Sequence, residues 1–572
     1  MKGQGVLLIE GQDANRALSI PKLRLLSIAN KAVGLDTLQK QASLRTLMLF
    51  GSTTVLLKDL LNKLSCLRVL YINEADKVEA PGSICHLRHL RYLRLSSTSI
   101  SMIPRDIGDL KFLLAIDICG CTNISEIPSS IIKLRKLRSL NFRHRTITSV
   151  PRGFRELEDL VTVWGFPTHS DDSAGGWCSL EELGPLSKLQ ILEISGLEKT
   201  PSGSMAAKAM LSSKHHLTEL SLIFTSRLGE NGEVQDDISE EEHERIEDVL
   251  SNLCPPTCTE ELDIIGYFAR GLPQWMSTMS AFGSLRRLQL DDYACCTQLP
   301  NGLGQLPFLD YFWVSRAPSV RCVGHDFLVP SLGGEAAGCK GEVQVPTETR
   351  NNKGQPHHTS CGAAGVAFPK LRELGFDGML RWTEWEWEQH VPAMPVLEEL
   401  LIDNCKLQRL PAGLAQHACR LGELELRNIQ HLVSVENFPS LVKLWSYNNP
   451  SLERINNNPS LQWMHISSCR ALKELDGLPS LRSLKWWDLD AEALPEYLPE
   501  AKLNKLRVDC SPKLLKLISL QDNSSEWGKI RHVQQVQAYG KRFTNDSIDR
   551  HIFYTKEPYS FEAIMDESTD ED

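Results

Sequence analysis

The residues that could do chemistry are numerous but poorly grouped. The 572-residue chain holds sixteen cysteines and sixteen histidines, enough for metal or redox work if their spacing allowed it. Cys119-Gly-Cys121, Cys254-Pro-Pro-Thr-Cys258 and Cys295-Cys296 come closest. None has a second Cys or His pair at the spacing of a tetrahedral zinc site. His243-Glu244 lacks the second histidine of a zinc-protease helix, and His357-His358 is an isolated pair. No Gly-x-x-x-x-Gly-Lys-Ser/Thr phosphate loop, no strand-linked Gly-x-Gly-x-x-Gly and no Gly-x-Ser-x-Gly elbow is present. The chain is therefore read as non-enzymatic, with no catalytic residue, cofactor or metal.

Binding side chains are better organised. Trp445, Tyr447, Trp463, His465, Lys485 and Trp487 recur at intervals of about two and about twenty residues, and such aromatic clusters mark contact hot spots. A second group is basic. Arg88 to Arg155 carries thirteen Lys or Arg against four Asp or Glu, and Arg91, Arg94, Arg138 and Arg143 are expected on or beside strands as a docking stripe. That stripe could meet an acidic domain or the acidic stretch at 229–248. It has no aromatic interleaving for bases, so nucleic acid is not expected.

What must position these residues is a repeat. Leu-x-x-Leu-x-Leu, with Ile, Val, Phe or Met allowed, appears as Leu23/Leu26/Ile28, Leu44/Leu47/Leu49, Leu67/Leu70/Ile72, Leu90/Leu93/Leu95, Leu113/Ile116/Ile118 and Leu137/Leu140/Phe142. Successive first leucines lie 21, 23, 23, 23 and 24 residues apart, and the series ends with Leu441, Leu461, Leu481 and Leu503 at 20, 20 and 22. Leu-x-Leu is a two-residue alternation that puts both leucines on one face of a short strand. One such strand cannot bury its face alone, so the copies must stack into a parallel sheet. Pro104, Pro128 and Pro151 mark the return of the chain and exclude a helix core there. The predicted fold is an α/β leucine-rich-repeat solenoid, a horseshoe with a concave parallel β-sheet and an irregular or short-helical convex side. Its concave ladder would run Glu425, Trp445, His465, Lys485, with Trp486 in the core. Thr98, Cys121, Cys405, Asn449 and Cys469 fall where the repeat wants a small residue hydrogen-bonded inside its turn, which gives those cysteines a structural role.

The pattern sets the expected organisation: a leader at 1–20 is read as a junction to a missing domain; repeats fill 21–228; and an acidic insert with a helix from about Ser239 to Leu253 occupies 229–258. Further repeats follow at 259–330, a disordered insertion at 331–367 and a third repeat block at 368–520. A cap over Ser525–Tyr539 and an acidic mobile tail complete 521–572. The Ser239/Glu242 pair has capping-box form. The first repeat looks uncapped, as if another domain packs on it.

Composition narrows the function classes. A net charge of −10, 42% apolar and 23% charged residues fit a folded protein and not a basic nucleic-acid binder. No apolar run of eighteen residues predicts a membrane span. Met1–Ile20 lacks a signal-peptide pattern and the cysteines are scattered, so a reducing, cytoplasmic setting is expected. Three sequons, at Asn123, Asn523 and Asn545, do not outweigh that.

Several stretches carry a resemblance. Leu64-Ser-Cys-Leu-Arg-Val-Leu70, Ile84-Cys-His-Leu-Arg-His-Leu-Arg-Tyr-Leu93 and Ile103-Pro104 resemble the opening repeats of plant nucleotide-binding leucine-rich-repeat disease-resistance proteins. So do Val249-Leu with Pro255-Pro256, Gly266-Tyr267, Leu272-Pro-Gln-Trp-Met276, Val323-Gly-His-Asp-Phe327, Phe368-Pro-Lys-Leu371 with Trp382 and Trp385, and Ser525-Glu-Trp527. The resemblance covers residues 18–540 and implies a protein-recognition module. Early repeats would hold a nucleotide-binding domain, and later ones would bind a pathogen effector or guarded host protein. The coiled-coil and nucleotide-binding domains of that family are missing, so ATP or ADP binding does not carry over. The alternatives are a signalling scaffold or adaptor, and an extracellular receptor ectodomain.

Overall fold

The computed structural model describes residues 5–9, 23–29, 42–51, 61–73, 82–96, 100–143, 147, 150–168, 179–235, 238–328, 366–387, 389–540 and 550–565. Thr98, the insertion expected at 331–367 up to residue 365, and the end of the acidic tail, 566–572, lie outside them. The chain divides into two compact units, Met1–Trp275 with Ala281–Cys296, and Met276–Ser280 with Thr297–Asp572. Both are stacks of leucine-rich repeats.

In the first unit parallel strands follow one another from Gly5–Ile9 and Leu23–Ala29 to Arg287–Asp291. The hexads set their register: Leu47, Leu70, Leu93, Ile116, Leu140 and Val163 stand side by side, one strand apart. Each is at most 2% exposed, and so are the leading Leu44, Leu67, Leu90, Leu113 and Leu137. Burying an aliphatic side chain of this size contributes about 1.5–3 kcal/mol before entropy costs. The leader is not free of repeat structure, because Gly5–Ile9 pairs in parallel with Leu23–Ala29. After Pro104, Pro128 and Pro151 the return path forms the short 3-10 helices Ile107–Asp109, Ser129–Lys133 and Phe154–Glu156.

The acidic stretch folds against this unit. Its helix runs Glu240–Ser251, and the Ser239 hydroxyl accepts the Glu242 amide at 3.2 Å. The helix closes at Asn252, ahead of Pro255-Pro256. His243, Ile246, Val249 and Leu250 are buried beneath it. Arg245 donates to the carbonyls of Glu198 and Thr200, and Asp248 accepts from the Gly203 amide. Nearby, the 1%-exposed Lys214 donates its ammonium to the carbonyls of Leu183, Gly184 and Leu186. Burial pushes that ammonium down to about 8.

In the second unit Tyr311–Ser315, Glu373–Asp377, Glu399–Cys405, Glu423–Ile429, Lys443–Tyr447, Trp463–Ser467, Ser483–Asp488, Lys505–Cys510 and Gln535–Gly540 pair in parallel in that order. His551–Thr555 and Ser560–Ile564 then add antiparallel strands. The carboxy-terminal segment expected to be mobile is thus partly a β-ribbon, with Trp527 packed on Tyr554 and Phe561 at 4.8 and 5.4 Å. It covers the edge that the last parallel strand would leave open.

Turn chemistry explains the small polar positions. The buried Asn449 side chain donates to the Leu426 carbonyl at 2.9 Å and accepts the Ile429 amide at 2.8 Å. Cys121 donates to the Leu95 carbonyl, and Cys469 sits against the Ser446 hydroxyl at 3.2 Å. Asn458 makes a second set, to the Val435 carbonyl and the Phe438 amide. It lies just past a small parallel sheet of Ser434–Glu436, Arg454–Asn456 and Glu474–Asp476 on the return path, which the hexads do not announce. Asn449→Ala should leave a buried amide and carbonyl unpaired at a cost of about 1–3 kcal/mol. Hydrogen exchange checks this: the Ile429 amide should lose protection, whereas Glu453→Ala should leave it unchanged.

Candidate protein-binding face

The strand alternation that buries Leu444, Met464 and Leu484 turns their neighbours outward. Pairing then fixes three rows across the open face of the second sheet. The middle row reads Trp313, Gly375, Leu401, Glu425, Trp445, His465, Lys485, Arg507 and Gln537. Beside it on one side stand Glu373, Glu399, Glu423, Lys443, Trp463, Ser483 and Lys505, and on the other Asp377, Asp403, Arg427, Tyr447, Ser467, Trp487, Asp509 and Tyr539. The ladder Glu425–Trp445–His465–Lys485 is therefore in register.

Trp445 and Trp463 meet with ring centroids 5.0 Å apart, and Tyr447 meets His465 edge-on at 4.8 Å. Tyr447 Oη and His465 Nδ1 are hydrogen-bonded at 2.9 Å. Cations lie over the rings: Lys443 over Trp445 at 5.9 Å, Lys485 over Trp487 at 5.6 Å and Arg427 over Tyr447 at 5.6 Å. Trp487 is 36% exposed, Trp445, Tyr447, Trp463 and Lys485 are partly exposed, and Trp486 is core at 6%. His465 needs a correction to its expected role: at 5% exposed it supports the aromatics from below and is not offered to a partner. Its Nε2 is buried without a hydrogen-bond partner. Burial, then the neighbouring Lys485, hold its imidazole down to about 4, with Arg507 adding to the effect and Asp509 opposing it.

Towards its acidic end the same face holds a cavity of about 300 Å³ lined by Trp313, Glu373, Leu401, Glu399, Glu423 and Trp445. Gly375 makes room for it. A Cβ there would lie 2.1 Å from the Trp313 ring, so only glycine lets that indole cross the next strand. Burial and the flanking Glu423 and Glu373 raise the Glu399 carboxyl above its ordinary range.

Sequence reasoning missed Trp313, Arg427, Lys443, Arg507 and Tyr539 on this face, although two-residue alternation from Glu425 and Trp445 points to Arg427 and Lys443. Arg507 lies 4.6 Å over Tyr539, whose ring continues to Phe553 at 5.9 Å.

The basic stripe divides. Arg94 pairs with Asp117 at 3.2 Å and lies over Tyr71, and Arg143 pairs with the buried Glu193 and lies over Trp164 at 4.3 Å. Neither turns to the acidic helix. Arg91 and Arg138 instead stand exposed at strand starts, in the hydrogen-bonded backbone series that includes Arg24, Arg45 and Arg68. Among the described residues, none of these five has a carboxylate at ion-pair distance. The one grouping of metal-type donors among the described residues is Cys322, Glu384 and Glu386, within 4.8 Å of one another, with both carboxylates exposed. The described cysteines are free thiols, and burial pushes Cys405 up to about 12.

The sequence profile of the leucine-rich repeat region family matches residues 43–443. The chain belongs to this family. Three disease resistance proteins of Arabidopsis thaliana are similar to this leucine-rich-repeat chain. One is 36% identical over 386 residues, 65% of this chain and 24% of its own length. An RPP13-like one is 26% identical over 313 residues, 53% of this chain and 27% of its own. The third is 24% identical over 520 residues, 88% of this chain and 40% of its own. The chain thus spans between a quarter and two fifths of the length of these relatives. Among solved structures, a Leptospira interrogans leucine-rich-repeat protein aligns at TM-score 0.38 and 16% identity, covering 82% of this chain and 95% of that one. The HAESA receptor-kinase ectodomain of Arabidopsis, in complex with a peptide hormone ligand, aligns at TM-score 0.38 and 16% identity over 87% of this chain and 82% of that one. Among the described residues no helix is long and apolar enough to cross a membrane.

A histidine whose folded value lies below its unfolded one binds fewer protons when folded, so stability falls as pH drops from about 6.5 to about 4. Wild type should lose roughly 3 kcal/mol relative to His465→Gln across that window. Urea midpoints of both proteins between pH 7 and 4 check it, and parallel curves would refute it.

Proposed function

We propose that this chain is a non-enzymatic, cytoplasmic recognition module of plant defence. It holds a pathogen effector or a guarded host protein on the open face of the second sheet. Trp445, Tyr447, Trp463, Lys485 and Trp487 make the contacts, with His465 bracing them. The observation that carries this reading is the aromatic cluster itself: rings held in register on a rigid sheet, partly exposed, with cations over them. Such anchors are already ordered, so little side-chain entropy is lost when a partner covers them. The similarity to disease resistance proteins supports the defence role.

In the first unit, the arginine row Arg24, Arg45, Arg68, Arg91 and Arg138 docks an acidic partner domain, a nucleotide-binding domain being the kind the resemblance implies. Arg94 and Arg143 are engaged within the unit and hold the sheet's own carboxylates. Charge of this kind sets orientation and on-rate more than affinity.

Trp445→Ala with Trp463→Ala should abolish capture of a specific plant protein by the tagged chain while its far-ultraviolet dichroism stays unchanged. Mass spectrometry of the captured proteins, wild type against variant, is the readout. Identical sets, or a sharp fall in the melting temperature of the variant, would place the site elsewhere.

A further inference from the structure

The charges on the open face of the second sheet are sorted by strand. Across Glu373–Asp377, Glu399–Cys405 and Glu423–Ile429 the three rows present Glu373, Asp377, Glu399, Asp403, Glu423 and Glu425 against the single cation Arg427. From Lys443–Tyr447 to Lys505–Cys510 the same rows present Lys443, Lys485, Lys505 and Arg507 against the single carboxylate Asp509. The aromatic rings of Trp445, Trp463 and Tyr447 lie where the two fields meet.

Opposite charges pair at that junction and in one buried pair. Lys443 bonds Glu423 at 2.6 Å, Arg427 bonds Glu425 at 2.6 Å, and Arg507 bonds Asp509 at 3.0 Å. At the acidic end, among the described residues, neither Glu373 nor Glu399 has a cation at ion-pair distance. Lys505 at the basic end has no carboxylate at that distance either. Burial, then repulsion from Glu423 and Glu373, raises Glu399, and a cation brought there would relieve the repulsion.

We propose that this face is a dipolar docking surface for one extended segment of a protein partner, its basic end seated between Trp313 and Trp445 and its acidic end over Lys485, Lys505 and Arg507. The inference rests on the recognition reading above and adds the chemistry and the orientation of what is recognised. The cavity of about 300 Å³ takes a guanidinium or ammonium between two indoles, with carboxylates of Glu373, Glu399 and Glu423 around it. The strands from Glu373–Asp377 to Lys505–Cys510 span six steps of about 4.8 Å, roughly 29 Å. An extended chain covers that with about nine residues. Laid the other way, the segment would put like charges together at both ends, so the sorting excludes the reverse orientation. A nucleic acid or anionic membrane would meet the six carboxylates and is disfavoured.

The test uses the full chain and two synthetic nine-residue peptides of one composition. One has three basic residues, three small apolar residues and three acidic residues in blocks, and the other alternates the charges. Calorimetry at low salt should show the blocked peptide binding at least about ten-fold more tightly. Glu373→Lys with Glu399→Lys should remove that advantage, and so should Lys485→Glu with Lys505→Glu. The neutral pair Glu373→Gln with Glu399→Gln, at exposed positions, should weaken binding in the same direction while the dichroism stays that of wild type. Equal binding of the two peptides, no binding of either at about 1 mM, or indifference to both charge reversals would overturn the proposal. A natural partner lost with Trp445→Ala and Trp463→Ala, yet held by both reversal variants, would overturn the dipolar reading and leave recognition standing. A partner unaffected by the tryptophan pair would overturn recognition itself.

Discussion

A strand that alternates leucine with polar residues can bury its apolar face only against other strands and returns that alternate in the same phase. Everything else in both units follows from that requirement. A slip of one residue would send Leu444 or Leu484 outward and Trp445 or Lys485 into the core, so the register is held by the whole leucine lattice at once. The backbone follows suit: Arg45, Arg68 and Arg91 each donate their amide to the strand before, at 2.9, 2.7 and 2.8 Å. Because every strand is pinned this way, the outward residues are ordered as rows without any interaction of their own.

The return path is less constrained, and it varies. Where the period is near 23 it carries 3-10 helices after proline. Where the period is 20, at Leu441, Leu461 and Leu481, it is short enough to form the second parallel sheet of Ser434–Glu436, Arg454–Asn456 and Glu474–Asp476. Compact turns then need left-handed backbone, supplied by Asn437, Asn457 and Gly477 at φ of 67, 53 and 63°. Asparagine tolerates that region and bonds its own kind, as Asn457 does to Asn437 at 2.6 Å.

Charge is handled differently on the two sides of each sheet. Among the described residues, the buried Lys214 is held by three carbonyls and the buried Asp509 by Arg507. On the open faces, charges pair where neighbouring strands bring opposite signs into register, as with Arg94 and Asp117 or Lys443 and Glu423, and two residues apart along one strand, as with Arg427 and Glu425. Arg91, Arg138, Glu373 and Glu399 have like or neutral neighbours along their rows. On the proposed reading, these charges are what a partner would meet.

The sequence by itself determined the repeat, the strand faces, the ladder from Glu425 to Lys485 and the helix behind Ser239. Each depends on spacing between residues close along the chain, and two-residue alternation or a capping box leaves that spacing visible. Tertiary structure decided the rest. That His465 is covered, that Arg94 and Arg143 meet Asp117 and Glu193, and that residues 551–564 close the last strand are facts about side chains twenty or more positions apart, or about segments without the leucine period. The seat between Trp313 and Trp445 is the clearest case. Trp313 and Gly375 are separated by an insertion that hides their pairing in the sequence, and an indole can lie across the next strand only where that strand has no Cβ.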